Sequence, residues 1–596
     1  MSYTSVPSAP LSGGLNLRDS PEQLDPSQAY DLLNVRFNQR GGVQSRPGYQ
    51  AFTGGTTLSA PTTVSATTIT VVSTAAFDTA GSLTIGSATP LTVTYTGKTA
   101  TTFTGCSGVT AVVASGTAVT LPATDSMTSF YTGSAWQIVS GLGNKLEART
   151  STGPLVASGT VATTANPHYF TTFGGPAAPL LWAANGTDQL RKWSGSAWTT
   201  PTWTLTPAAS PAPNPTGKFV AVTPWDNRLA NARYSSTSGG QNKSSVRFSL
   251  PYLPESWDGF NWVDLTPGDG ESIMGMVSYD NYLIVFKETK FFTFYGTGTA
   301  ASGVAEFQYR AVDNGIGLAA PGLLCVARDG VYFLSRKGVF KTDGGAPQLV
   351  SDIVDPLFTG NTNVLYGGYP INFASLTKAR MFEHNQQIYL ACPTGTSAYN
   401  DTTFLYDIRF NWWSRWDTKI AAAVPVDVSG TNAGPSIIFA LSTPTDRSIG
   451  KMADSLATDA GAGIPSRIKF GFSDLGASAV KTVRESQLWG VGTVRFAVGK
   501  DFKGSTNATE VALGSISDTW ADGTIASDVW ADGTTSDTWG GGQNGGVGTA
   551  RNSVRGLVMG AEIYSSSATV PPAWSVNKII YRVREQRVPT VQRTDR

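Results

Sequence analysis

Cysteine and histidine are scarce. Cys106, Cys325 and Cys392 are the only cysteines among 596 residues, and His168 and His384 are the only histidines. An odd number of widely spaced cysteines argues against a disulfide scaffold. So few Cys and His also argue against a zinc site, and no metal or other cofactor is expected. Charge is sparse as well, at 14% of residues against about 25% in an ordinary soluble domain. The 43 basic and 42 acidic residues leave a net charge of +1. Whole-chain charge therefore gives no footprint of tight or sequence-reading nucleic-acid binding. It is compatible with a neutral or acidic channel through which DNA passes without sticking. No apolar run approaches the ~18 residues of a membrane-spanning helix. The opening Met1-Ser2-Tyr3-Thr4 has neither the basic region nor the apolar stretch of an export signal. Synthesis and assembly in a cytoplasm are expected.

Glycine, threonine, serine and aromatics fill the space that charge leaves. There are 65 glycines and 16 tryptophans, and apolar content is an ordinary 40%. That profile belongs to strands and tight turns. It also suits a protein whose outer faces are covered by neighbouring subunits. The length suggests roughly three to five folding units. A short motif recurs near the C-terminus: Ser517-Asp518-Thr519-Trp520-Ala521-Asp522-Gly523-Thr524, then Ser527-Asp528-Val529-Trp530-Ala531-Asp532-Gly533-Thr534, then Ser536-Asp537-Thr538-Trp539-Gly540. Asp-Gly is a tight-turn signal, and the first two copies set a Trp beside such a turn.

Four segments are expected. Residues 1–54 form an N-terminal arm and the first propeller strands, with Asp25 and Pro26 starting a short helix and strands at 33–37 and 43–49. Residues 55–122, whose charged residues are Asp78 and Lys98, read as a small Thr/Gly-rich β domain inserted in an exposed loop. Residues 123–454 carry hairpin clusters at intervals of roughly 45–65 residues, the signature of propeller blades. Within them, Tyr131-Thr132-Gly133-Ser134-Ala135-Trp136 and Trp193-Ser194-Gly195-Ser196-Ala197-Trp198 form an internal repeat. Residues 455–596 alternate apolar and polar positions in Arg467–Phe472 and Val494–Val498, which suits half-buried strands. They read as a β-sandwich-like domain bearing the Trp repeat on a long loop. The expected fold is all-β: a β-propeller with a small inserted β domain and a C-terminal β-sandwich-like domain.

The residues that could carry chemistry have plainer readings. A glycoside hydrolase needs paired carboxylates, or arginines with a Tyr nucleophile. Glu271, Asp280, Glu288, Asp313 and Asp329 are available, but several sit in turns such as Asp280-Asn281 and Asp329-Gly330, where local hydrogen bonds account for them. A Ser/His/Asp triad would have to use His168 or His384. Neither lies near a nucleophile-elbow pattern. The acidic turns at Asp518, Asp522, Asp528 and Asp532 lack the spacing of a calcium loop. The stretch Arg409–Trp416 interleaves bases and aromatics as single-strand binders do, but a propeller hairpin with core tryptophans explains it better. Trp520, Trp530 and Trp539 are too close together to anchor three cores. Packing on their own domain and contact with a neighbouring subunit stand level, and they are the candidate subunit-interface residues.

The order of four stretches resembles a family of tail proteins of short-tailed dsDNA bacteriophages, the packaged-DNA stabilisation or tail hub and nozzle proteins. The stretches are Gly14-Leu15-Asn16 through Arg46-Pro47-Gly48-Tyr49; Asn227-Arg228-Leu229 with Val246-Arg247-Phe248-Ser249 and Ser256-Trp257; Tyr282–Lys287 through Phe294-Tyr295-Gly296; and Asn314-Gly315-Ile316-Gly317 through Gly338-Val339-Phe340. The likeness covers most of residues 10–420. It implies a non-enzymatic propeller subunit in a ring, a hexamer, below the portal and adaptor. Such a ring extends the DNA channel, retains packaged dsDNA, takes part in its ejection and contacts fibres or spikes. The Thr/Gly-rich 55–122 segment and the Trp repeat depart from the family pattern. The alternatives are a receptor-binding or glycan-degrading tail protein, and a minor tail protein of a long-tailed phage.

Overall fold

The computed structural model describes residues 3–38, 41–51, 55–75, 77–86, 91–142, 145–150, 155–160, 167–174, 179–206, 215–236, 241–296, 307–360, 369–426, 436–443, 448–454, 456–476, 479–505, 507–513 and 546–585. Strands dominate these residues, and the helical pieces are short, at Asp352–Val354, Pro356–Thr359 and Phe373–Lys378.

Seven antiparallel meanders follow one another between residues 124 and 452. Their first strands begin at Thr124, Tyr169, Pro215, Gly275, Leu324, Arg380 and Ile420. Each first strand packs against the first strands of its two neighbours, and Thr124–Tyr131 packs against Ile420–Val426 to close the ring. This is a β-propeller, and the meanders are here called blades 1 to 7. Blade 3 gains a fifth strand, Thr204–Thr206, parallel to Leu253–Asp264. The seventh blade takes its outer strand from elsewhere: Tyr49–Ala51 pairs with Ile449–Met452. An N-terminal strand thus latches the last blade and ties the start of the chain to the end of the propeller.

Tight turns set the meander. Asp226 and Asn227, Asp280, and Asn385 and Gln386 adopt positive φ at hairpin tips, the geometry that two-residue hairpins require. The Glu383-His384-Asn385 stretch is such a tip, with His384 paired to Gln387. The two copies of the aromatic-turn-Trp repeat are also hairpins, Tyr131 opposite Trp136 and Trp193 opposite Trp198. They occupy different places, strands one and two of blade 1 and strands three and four of blade 2. They meet where Gln137 Nε2 donates to the Gly195 carbonyl at 2.9 Å and Trp193 Nε1 donates to Gln137 Oε1 at 2.8 Å.

The segment from 55 to 121 forms two small sheets in the connection between the latch strand and blade 1. Its core residues, among them Leu83, Val93 and Phe103, continue into Ile138 of blade 1 and Val424, Ile438 and Ile449 of blade 7. Arg149 of blade 1 pairs with Asp78 of the insert and with Glu147 at 2.7 Å. The insert is therefore packed onto the propeller wall.

Residues 1–54 were expected to form an N-terminal arm and the first propeller strands; Tyr49–Ala51 does join the propeller, but the strands of residues 4–45 do not. In the structure their strands pair instead with the C-terminal ones: Thr4–Pro7 with Ser575–Glu585, Ala29–Leu33 with Arg467–Phe470, and Val43–Ser45 with Ser575–Glu585. The short helix expected at Asp25 is a single turn. Asp25 accepts from the Ser27 amide at 2.8 Å, and the chain enters a strand at Ala29 before helix can propagate. The C-terminal domain is organised by one 20-residue strand, Lys481–Lys500. Its first half pairs with Gly546–Gly556 and Ser575–Glu585, and its second half with Thr509–Leu513 and Met559–Ser565. The partner change falls at Gly490 and Gly492. A Cβ on Gly490 would lie 1.9 Å from the Ser575 carbonyl oxygen, and Gly492 has φ +90. Glycine here allows close backbone approach and a corner. The core of this domain is continuous with blades 4 to 6 through Leu15, Val35, Phe333, Trp413 and Phe496.

Candidate functional site

Where the first strands begin, charged and polar side chains gather around one end of the propeller axis. Asp125 and Ser126 open the first strand of blade 1, His168 precedes that of blade 2, and Arg380 opens that of blade 6. Arg380 reaches past blade 7 and donates from Nε and Nη2 to the Asp125 backbone carbonyl, at 3.0 and 2.8 Å. The guanidinium fork makes this contact possible. Ser126 Oγ donates to the Asp125 carboxylate at 2.8 Å and accepts from the His168 amide at 3.1 Å. Asn185 Nδ2 lies 3.3 Å from His168 Nε2 and donates to Asp188 at 2.8 Å. Gly141 backs the cluster. A Cβ there would sit 2.4 Å from Ser126 Oγ and 3.0 Å from both Asp125 Oδ1 and His168 Nδ1.

Burial governs the protonation of this cluster. It pushes the Asp125 carboxyl up to about 6, against the Ser126 hydrogen bond and the nearby Arg380 charge. It pulls His168 down to about 4, with Asp188 opposing. At neutral pH His168 is therefore uncharged. Among the described residues its Nδ1 has no hydrogen-bond partner. A Ser, a His and carboxylates do come together here, but Ser126 and His168 are buried, at 4% and 5% exposure. The arrangement is an internal polar knot between blades.

A second charged group joins the propeller to the terminal domain. Arg46 is buried and donates to Asn34 Oδ1 at 2.9 Å, Asp459 Oδ1 at 2.9 Å and Asp417 Oδ1 at 3.0 Å. Burial opposes its charge most strongly, but Asp459 and Asp417 outweigh it and hold its pKa above the ordinary value. Asn34 adopts φ +56. Its side chain also accepts from the Asp417 amide at 3.0 Å and donates to the Pro465 carbonyl at 2.7 Å. Three regions distant in sequence, residues 34–46, Asp417 and residues 459–465, are tied at this point.

The carboxylates named from the sequence hold ordinary partners, with Glu271 and Asp313 both near Lys290. Glu271 accepts from Thr289, Glu288 from Arg336 at 2.9 Å, and Asp329 from Lys341 at 2.7 Å. Asp313 lies 3.6 Å from Lys290, and Asp280 forms a hairpin tip. The structure does not bring these five together. Asp269, which the sequence did not single out, accepts from buried Lys287 at 2.8 Å. Desolvation raises its pKa, but Lys287, Thr266 and the Glu271 amide prevail and hold it well below the carboxylate range. In Arg409–Trp416, Trp413 and Trp416 are 1% exposed, and Arg409 is held by Asp407, as a blade hairpin requires. Trp520, Trp530 and Trp539 lie outside the described residues. The acidic turns beside them, Asp518 to Asp532, do so as well. Among the described residues no group of three or more His, Cys, Asp or Glu could hold a metal ion, and no helix is long and apolar enough to cross a membrane.

Asp125 and Arg380 escaped the sequence reading, and Arg46 entered it only within the Arg46-Pro47-Gly48-Tyr49 stretch. Their one signal is a charged residue at the edge of an apolar strand, and that signal is common to solvated positions.

No family model and no curated protein matches this chain. Among solved structures, the crystal structure of BBS1N in complex with ARL6DN, soaked with mercury, is similar at 11% identity with a TM-score of 0.33. The match covers 57% of this chain and 94% of that one. A likeness at this level says nothing of function.

Proposed function

We propose that this chain is a structural, non-enzymatic subunit of a phage tail, a hub or nozzle protein. Copies of it form a ring, a hexamer, that extends the DNA channel, retains packaged dsDNA and takes part in its ejection. It is assembled in the host cytoplasm beside adaptor and portal-side proteins and carries or contacts a fibre or spike. The observation that supports this reading best is the way one chain locks its parts together. The latch strand, the Arg46 knot and the core shared by blades 4 to 6 with the terminal domain give a stiff unit. A ring built from one repeated heterologous contact needs such a unit, because flexing within it would spoil closure. The order of sequence stretches noted above supplies the family.

The test is the location of the protein in virions. Antibody against the purified protein should label the tail end of intact particles. Labelling confined to unassembled lysate protein, with particles unlabelled, would overturn the reading.

A further inference from the structure

The Gly546–Gly556, Lys481–Lys500 and Ser575–Glu585 strands present one outward face, and the ladder fixes what it carries. Opposite Thr482 stand Arg555 on one side and Arg584 on the other. Opposite Glu485 stand Arg551 and Arg582. Lys578 lies on the same face, opposite Trp489. The alternate positions, Val483, Ser486, Leu488 and Tyr581, are buried beneath. Five basic groups thus share a face with one acidic residue, Glu485, which lies 3.5 Å from Arg582 at its exposed edge. Arg551, Arg555, Lys578 and Arg582 are exposed. Among the described residues Arg551, Arg555 and Lys578 form no ion pair. The net charge of +1 averages this face away.

We propose that this sheet face binds the phosphate backbone of duplex DNA. The basic groups are spread along three adjacent strands, so the face suits an extended polyanion better than a single small anion. Four of the five groups are arginines, whose planar forks match phosphate oxygens. Arg582 and Arg584 stand two residues apart on one strand, roughly 7 Å, and the arginine rows flank the central strand at roughly 10 Å. Repeated positive charge at this pitch meets the repeated negative charge of a duplex without reading its bases. The choice of DNA over other polyanions rests on the channel reading above. The existence of a polyanion face rests on the ladder alone.

The test is fluorescence anisotropy of a labelled 30-base-pair duplex of arbitrary sequence with the full chain, across 50 to 200 mM salt. Light scattering of the same sample records whether it is a ring. Binding should weaken about 500-fold over that range if all five groups engage, because each phosphate contact contributes about 0.9 to the salt slope. Arg551→Gln, Arg555→Gln and Lys578→Gln combined should lower the slope by two to three and weaken binding at 50 mM at least tenfold. Arg336→Gln, on blade 5, serves as a control and should change neither. Thermal melting confirms that each variant is folded. If the triple variant melts early, each single replacement should still lower the slope by about one. No binding at 50 mM, or binding that the three replacements leave intact, overturns the proposal. So does preference for anionic vesicles over DNA at equal charge. A ring that ignores DNA would sink this inference and leave the ring reading standing. DNA binding by a protein that never forms a ring would do the reverse.

Discussion

Arg380 of blade 6 donates two hydrogen bonds to the backbone carbonyl of Asp125 in blade 1. The contact skips blade 7 and so braces the ring across its closing point, independently of the latch strand. Arg380→Ala removes both bonds, and with them the Nη1 bonds to the Thr377 and Ala379 carbonyls. Hydrogen bonds to charged groups contribute about 1.5–3 kcal/mol, and a loss of that size is expected in urea unfolding. Arg380→Lys offers one donor without the fork and should recover only part of it.

The Asp125 and His168 pair predicts opposed responses to acid. His168 titrates at about 4 when folded, against 6.5 ordinarily. Between those values the unfolded chain binds the extra proton, so stability is lost as pH falls. Asp125 titrates at about 6 when folded, against 3.8. There the folded chain binds the extra proton, so stability is gained as pH falls through the same window. Each trend amounts to about 3 kcal/mol at full extent. Asp125→Asn should leave the loss exposed, and His168→Asn the gain. Melting temperatures of the two variants from pH 7 to pH 4 should move in opposite directions relative to wild type.

Arg46→Ala should cost about 1.5–3 kcal/mol, the range for lost hydrogen bonds to charged groups, because Asp417 and Asp459 lose their cation but keep access to water. Hydrogen exchange should show the loss at the Tyr49–Ala51 latch and at residues 29–37 before it reaches blades 2 to 4. A uniform loss across the propeller would contradict the placement of this knot.

Asp78→Asn removes the insert's partner for Arg149 while leaving the insert's own core intact. Limited proteolysis should then cut faster at residues 121–123, between the insert and blade 1, with the propeller still folded. An unchanged cleavage rate would mean that apolar packing on Ile138 and Val424 holds the insert by itself.

Gly141→Ala should destabilise by about 1–3 kcal/mol, as overpacking does, because its Cβ meets Ser126 Oγ at 2.4 Å. Ser126→Ala in the same chain should recover part of that loss.

The propeller was legible because its signals are local. Runs such as Tyr282–Phe286 and Phe291–Tyr295 alternate with two-residue turns, and each pair is one hairpin. The insert announced itself by its lack of charge. The pairing of the termini was not legible, because strand pairing across more than 400 residues leaves no local trace. Val43 opposite Val576 reads as any valine would. Gly490 and Gly492 are as typical of a break between strands as of a bend within one. They are the corner of one strand. The axial knot was missed for a related reason: Asp125, His168 and Arg380 are ordinary residues until the ring closes. The basic face was hidden by near-zero net charge, which cannot report how charges are arranged.

The measurement that bears most directly on the ring reading is the mass of the purified protein, alone and with virion tail components, by light scattering and negative-stain imaging. A six-fold ring, or a monomer that closes into one on the tail, is the predicted result. A stable free trimer that binds cells or cleaves glycans would contradict it.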